Sequence, residues 1–578
     1  MAARGIDSPQ REAGERLQHQ FESMLKYSKV IRDPVHGDIW ITDLEKEIMD
    51  NNWFQRLRRI RQLGPTNLVY PGANHTRFEH SIGTLYVAQQ IIDAVNRNYR
   101  HVFPDDPTSR FSEYPMTPED TFVTRIVALI HDTAHLSFGH VLEDEGNLFG
   151  EDKQWKDDKR REGVLGRVLP IIRKRMERAG IEKTRIDKTL ADIESILVAE
   201  EKGENEIRRL DRPYIADICG NTICADLLDY LKRDSYFTGL KAAYDKRMLS
   251  YFVLRDYEDE ATNEVKPRLA ILLERRPGVL RRDVLSDCVG LLRLRYTLAE
   301  KVYYHRVKAV LSAMVIKLVF CAMKSALDKV KGKKQRDQVS QEFKDHIMLS
   351  GDDAFLYEIA NMPEDIDEDL QAAKKVACSI LGRQLYTITY YRLGYSPEYW
   401  TRVGEYAVPS RRYELECTLE SVFEISPGSI IVYATKKDEG KEAEAKMFVR
   451  SLSPSVQPLS KLARELEHGN MAFEIELINK RYATLWRFYV LLSPEYADQW
   501  SQTLKDVCQK GIEDGDWSGL VDVRAQILEE TANIKLCVSE QKEVKSAVQA
   551  IKFAREIHGV SFKEFIDNEI RKVFKRRG

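Results

Sequence analysis

Histidine is scarce in this chain, twelve residues in all, and five of them crowd into two short segments, His75 and His80 in one and His131, His135 and His140 in the other. Clustered imidazoles beside carboxylates are the usual donor set of a transition-metal site. In ALIHDTAHLSFGH, His131 and His135 stand four apart, a spacing that places both on one face of a helix. Asp132 adjoins His131 and can turn toward the same ion. The apolar VALI before them buries the segment, which reads as a buried helix ending in His-Asp and followed by a polar turn. His80, in HTRFEHSIGTLYVAQQ, opens a second apolar-periodic helix and can face His131 from there. A fourth ligand is expected in ICADLLDYLKRDSYFTGL, where Asp226 shares an apolar helix with Asp229, Tyr230 and Asp234. A carboxylate on such a helix needs a partner, and a metal ion is one. An isolated His-Asp pair arises by chance, and a lone helical histidine is more often a hydrogen-bonded core residue. The conjunction of three segments carries the argument.

The elements that must position these groups are mostly helical. FQRLRRIRQLG, SIGTLYVAQQIIDAV, TRIVALIHDTAHL, GVLGRVLPIIRK, TICADLLDYLKRD and the long run LLRLRYTLAEKVYYHRVKAVLSAMVIKLVF carry apolar residues at three- and four-residue intervals. VIRDPVHGDIWIT alternates like a β-hairpin. After about residue 411, YELECTLESVFEI, GSIIVYAT, AKMFVRSL and MAFEIEL read as strands, with the polar loop KKDEGKEAEA between two of them. The expected fold is mainly α: a helical arm (1–28), a helical catalytic core (29–325), a helical extension (326–410), a smaller α+β lobe (411–493) and a C-terminal helical region (494–578).

Composition narrows the function classes. The 578 residues are 43% hydrophobic and 31% charged, an ordinary globular balance. The 89 Lys+Arg against 91 Asp+Glu leave a net charge of −2, so no global basic field points to nucleic acid. Eight cysteines are too few for a disulfide framework, and only Cys219 and Cys224 are close, which argues against thiolate-held zinc and for free thiols in the cytoplasm. The polar N-terminal stretch has no apolar h-region, and the most apolar run, Ala309–Met323, is short and interrupted by Lys317, so a core helix rather than a membrane span is expected. Motifs of the forms G-x-x-x-x-G-K-[ST], H-E-x-x-H, G-x-S-x-G and G-x-G-x-x-G do not occur, which sets aside P-loop NTPases, zincins, α/β-hydrolases and Rossmann enzymes.

Taken in order, IRDPVHGDIWIT, WFQRLRRIRQLGPTNLVYPGANHTRFEHSIGTLYVA, ALIHDTAHLSFGH, ADLLDYLKRD and RYTLAEKVYYHRV resemble the HD phosphohydrolase superfamily. More closely, they are similar to the core of the SAM-and-HD-domain deoxynucleoside triphosphate triphosphohydrolases and their bacterial relatives, without an apparent SAM domain. The resemblance implies metal ligation by His80, His131, Asp132 and Asp226. It implies catalytic roles for His135 and His140, supported by Glu143, and contacts to a nucleotide from Gln62, Leu63, Arg77, Tyr230, Asp234, Arg295 and Tyr303. A divalent transition metal (Fe, Mn, Zn, Ni or Co) would be tightly held, with Mg or Mn arriving on the substrate phosphates. The reaction implied is attack of water on the α-phosphorus of a dNTP, with His140 protonating the leaving 5′-oxygen. Lys29, Asp50, Gln55 and Arg58 match positions that hold an activating guanine nucleotide between subunits in the relatives, which implies a homodimer or homotetramer.

Two positions depart from the family pattern. Leu227 stands where relatives place a phosphate-holding lysine after the fourth ligand, and the segment KRREGVLG offers Arg161 where relatives have a further histidine. An HD-type phosphodiesterase or nuclease therefore stays open as a second reading, and a non-catalytic nucleotide sensor or scaffold as a third.

Overall fold

The computed structural model describes residues 8–102, 115–148, 165–220, 222–241, 244–258, 264–276, 279–436, 445–449, 456–466, 470–532, 536–549 and 562–575. Most of KRREGVLG, with Arg161, and most of the KKDEGKEAEA loop lie outside the described residues. The fold is mainly α with small sheets, as the periodicities predict.

The helix Ser8–Met24 precedes an antiparallel hairpin, Tyr27–Asp33 with Gly37–Thr42. Behind the hairpin pack the helices Arg77–Val102, Pro118–Ile130 and Ala225–Thr238, which carry the metal-site candidates between them. Pro118–Ile130 starts on a capping box: the Thr117 hydroxyl accepts from the Asp120 N–H, and the Asp120 carboxylate accepts from the Thr117 N–H. The run LLRLRYTLAEKVYYHRVKAVLSAMVIKLVF is two helices, not one. Arg282–Leu298 ends in a wide turn at Ala299–Tyr303, and His305 caps a new helix, Arg306–Asp328, through Nδ1. That second helix is longer than its apolar run suggests and passes the length and hydropathy test for a membrane span, yet most of it is buried inside the fold. Its Lys317 sits in the core, 2.6 Å from Glu416.

Two of the expected C-terminal strands are helices. YELECTLESVFEI lies mainly in the helix Pro409–Phe423, and MAFEIEL lies in Asn470–Ala483. Each segment carries both periods. Tertiary burial selects the helical one, since Leu415, Leu419, Val422 and Phe423 form one buried face. On that face Glu416 and Glu420 accept the backbone N–H groups of Val432 and Ile430, at 2.7 and 2.8 Å. Those N–H groups belong to the edge strand Ile430–Ala434, so the helix covers an edge that would otherwise stay open.

Apart from the short pair Glu274–Arg276 and Val279–Leu280, the remaining described strands divide between two sheets. Thr387–Leu393, Arg487–Leu492 and Ile430–Ala434 form an antiparallel three-stranded sheet in that order. Lys446–Phe448 instead runs parallel to Val265–Leu272, in a four-stranded sheet with Phe252–Glu258 and Gln457–Pro458. The chain after residue 411 is thus threaded back onto the catalytic core as well as forming its own layer.

Candidate metal centre and active site

The helix Pro118–Ile130 stops one residue short of its histidine. His131 is the C-cap, and Asp132 to Gly139 follow in tight turns. His131 and His135 therefore do not share a helix face, contrary to their spacing. His135 is turned instead toward Asp132, with Nε2 3.1 Å from Oδ1.

Four side chains converge at this junction. The rings of His80 and His131 are 5.3 Å apart. Donor atoms of His80, His131 and Asp132 all lie within 4.8 Å of one another. Asp226, in the first turn of Ala225–Thr238, places Oδ1 2.9 Å from His80 Nε2 and 3.8 Å from His131 Nε2. Ligands on one ion at bonds of about 2.1 Å are separated by about 3.0–3.4 Å, so the spacing suits a single cation.

Hydrogen-bond partners set the tautomers. His80 Nδ1 lies 2.8 Å from the Asp229 carboxylate and His131 Nδ1 2.9 Å from the Ala128 carbonyl. Both partners only accept, so each Nδ1 carries the proton and each Nε2 presents its lone pair. Both Nε2 atoms are buried and have no hydrogen-bond partner among the described residues. Lone pairs facing two carboxylates call for a proton or a metal cation between them, and the donor set of two imidazoles and two carboxylates fits a divalent transition metal.

Electrostatics agree. Burial opposes charge on His80, but Asp226, Asp229 and Asp132 override it and raise its imidazole to about 10. A metal ion, attracted by the same carboxylates, would take that proton's place. Burial lowers His131, which leaves it the neutral ligand form. Asp132 stays well below the usual carboxylate range: burial pushes it up, and Arg77, His131 and His135 outweigh that.

Behind His80 stands a layer that the spacing argument did not find. Asp229 is fully buried and accepts from His80, from His36 Nε2 at 2.7 Å and from Arg233 Nε and Nη2 at 2.9 Å each. Arg233 Nη1 reaches Asp33 at 2.8 Å, whose other oxygen ties down the N–H groups of Val35 and His36. This is the carboxylate–histidine arrangement that orients a metal ligand. Its signal was present: Asp226, Asp229 and Arg233 lie at i, i+3 and i+7, one helix face. Opposite them, Gly83 leaves no room for a Cβ, which would strike Asp229 Oδ1 and Arg233 Nη2. Gly83→Ala is expected to cost about 1–3 kcal/mol by overpacking and to weaken metal retention, checked by thermal unfolding and metal analysis.

The second cluster is His135, His140 and Glu143. Glu143 supports His135, with Oε2 2.6 Å from Nδ1, while its Oε1 accepts the Leu136 N–H. Burial lowers His135 and Arg77 repels it, but Glu143 and Asp132 raise it on balance. Glu143 falls to about 2: burial opposes this, and His135, then His140 and Arg77, prevail. His140 is exposed at the opening, paired to Asp144 at 2.7 Å, its ring 4.9 Å from that of His135.

Arg77 donates Nη1 to Asp132 Oδ2 at 2.6 Å, and its Nε and Nη2 are buried without partners among the described residues. Gly139, at φ +48°, lies against it, and a Cβ there would come within 2.6 Å of Nη2. Asp234 is buried with both oxygens engaged, by His75 at 2.9 Å and by the Tyr303 hydroxyl at 2.6 Å. Tyr230 and Tyr303 stand edge to face, 6.5 Å between ring centres. Arg295 is raised chiefly by Tyr230, with Tyr482, Cys224 and Tyr303 adding to it against burial. Tyr482 comes from the C-terminal helix Asn470–Ala483, a contribution no sequence motif announced. Gln62 and Leu63 are half-buried, and Gln62 Oε1 has no partner among the described residues. Leu227 is packed in the core, while Lys232 and Arg233 are committed to the Val35 carbonyl and to the Asp229 and Asp33 carboxylates, so neither restores the missing phosphate contact.

The rest of the chain braces this junction. Arg56 donates to the carbonyls of Thr133, His135 and Met348. Asp352 accepts the N–H groups of Phe138 and Arg61 and is raised by burial to about 6. Glu145, two residues after Glu143, is held by Lys308 and by the Tyr433 hydroxyl, and Arg412 binds the Gly146 carbonyl.

Of the residues matched to a nucleotide effector, Gln55 and Arg58 are joined at 2.9 Å and line a 460 Å³ cleft with Trp53, Arg56, Arg59 and Arg167. Asp50 pairs with Lys46 at 3.4 Å, and Lys29 is exposed on the hairpin.

The family model for the HD domain matches residues 77–234. An uncharacterized protein of Methanocaldococcus jannaschii is 31% identical over 50% of this chain and 49% of its own length. A deoxynucleoside triphosphate triphosphohydrolase SAMHD1 homolog of Dictyostelium discoideum is 26% identical over 63% of this chain and 60% of its own, and human deoxynucleoside triphosphate triphosphohydrolase SAMHD1 is 26% identical over 50% and 43%. The chain thus spans about half the length of the curated relatives it matches, 60% in the Dictyostelium case. His80, the His131–Asp132 pair and Asp226 all lie inside residues 77–234, so the four candidate ligands sit in the segment that is similar to the HD domain.

Proposed function

We propose that this chain is a metal-dependent phosphohydrolase acting on nucleotides, and that its substrate is a dNTP cleaved to deoxynucleoside and triphosphate. The observation that carries the reading is the pair of buried Nε2 lone pairs of His80 and His131 facing Asp132 and Asp226, next to an arginine with two unspent N–H donors. A cation held there supplies Lewis-acid polarisation of a phosphoryl oxygen and acidifies water. Arg77, already fixed by Asp132, offers Nε and Nη2 to phosphate oxygens. His135, held between Asp132 and Glu143, is the imidazole that faces the reacting phosphate. His140 is placed by Asp144 through Nδ1, so its Nε2 is the atom that passes a proton to the leaving oxygen. Tyr303, held by Asp234, and Tyr230 form the sugar side of the site, and Arg295 meets the phosphate tail. The cleft of Gln55 and Arg58 is the place for a guanine-nucleotide activator, with assembly to a homo-oligomer.

The deciding experiment incubates the protein with each dNTP, each NTP and single-stranded DNA under Mn²⁺ or Mg²⁺ and identifies the products. Release of triphosphate from dNTPs is expected. Monophosphate release, or cleavage of DNA alone, would replace this reading by the phosphodiesterase one that Leu227 leaves open. His140→Ala is expected to keep the metal and lose at least about 100-fold in kcat, the usual contribution of a general acid. Wild-type turnover in that variant would remove His140 from the mechanism.

A further inference from the structure

On the side of the hairpin, the helix Arg77–Val102, the helix Ala225–Thr238 and the turn Lys246–Tyr251 enclose a second cavity of 180 Å³. Its lining brings together Arg97, Lys232 and Lys246 from these three elements, with His36 and Tyr86 packed together on one wall, their rings tilted and 4.8 Å apart. The carboxylate in the lining is Asp93, and its Oδ1 already accepts from the Gln89 amide at 2.8 Å. Three cations therefore face one partly committed acid. Lys232 spends one N–H on the Val35 carbonyl, and burial and then Lys246 lower its pKa against the pull of Asp229 and Asp33, which Arg233 already engages. The volume falls below the about 300 Å³ at which small-molecule pockets begin, so a compact anion fits and a whole nucleotide does not.

The wall of this cavity is one hydrogen bond from the metal layer. His36 donates through Nε2 to Asp229, and Asp229 fixes His80. We propose that the cavity is a binding site for a compact phosphate-class polyanion, inorganic phosphate or oligophosphate, whose occupancy alters metal retention through His36 and Asp229. The coupling rests on the metal-centre reading above; the binding does not.

The test titrates inorganic triphosphate and inorganic phosphate calorimetrically into the metal-loaded full chain, the Arg97→Ala/Lys246→Ala double variant and a Lys505→Ala control. Arg97, Lys246 and Lys505 are all exposed, so folding is not at stake. The wild type and the control are expected to show an anion site that the double variant weakens at least tenfold, with basal turnover retained. Equal binding in the double variant overturns the site, and a dNTP binding there more tightly than inorganic triphosphate overturns the compact-anion assignment. Metal retention against a chelator is then measured with and without saturating anion. A shift in the wild type that the double variant lacks supports the coupling, and no shift overturns it. Neither readout needs turnover, so a protein inactive on dNTPs would refute the proposed reaction and leave this site standing.

Discussion

Replacing His131 by alanine is expected to empty the metal site and reduce phosphohydrolysis to background, while unfolding stays close to wild type. His131 stands at a helix end with Nδ1 on a local carbonyl, so its removal breaks no long-range bond. Removal of Asp132 is expected to do more. Asp132 is also the counterion of Arg77, and that guanidinium is buried. Asp132→Ala leaves the charge unpaired, for about 3–5 kcal/mol of destabilisation on top of metal loss. Metal analysis with chemical denaturation separates the two. Unchanged metal content in both variants would dismiss the assigned site.

The second large effect is predicted at a residue that touches no substrate. Asp229→Asn keeps the side-chain volume but removes the charge that three donors share. Arg233 is completely buried and would keep only Asp33 as a counterion. Destabilisation of about 3 kcal/mol is expected, and metal affinity should fall about 10–100-fold because His80 loses its orienting acceptor. The double variant Asp229→Leu/Arg233→Met, which removes both buried charges, should recover stability without recovering affinity. If it restored affinity as well, Asp229 would be a structural ion-pair partner and nothing more.

Both predictions show where sequence spacing stopped being informative. The i, i+4 relation of His131 and His135 pointed to one helix face, but the helix ends at Ile130 and the turn swings His135 toward Asp132 and Glu143. Glu143 could be matched to a supporting acid without saying which histidine it supports; it holds His135, and His140 pairs with Asp144. Asp229 and Arg233 lay in plain view on the Asp226 face, yet nothing local connects them to His36, almost 200 positions earlier. YELECTLESVFEI and MAFEIEL carried helical and strand periods at once, and only the surfaces they cover chose between them.

What the sequence determined by itself was the chemistry: histidines and aspartates on apolar helices, placed where an uncompensated charge is too costly to bury without a cation. Their identity and order also marked the superfamily. The tertiary structure decided which lone pairs are free, which acid orients which imidazole, and how Lys308 and the segments beyond residue 326, through Asp352, Arg412 and Tyr433, clamp the junction. The turn after Ile130 sets the nearer of these contacts, and the others join residues tens to hundreds of positions apart. Local periodicity reports only which face of an element is buried, never what it is buried against.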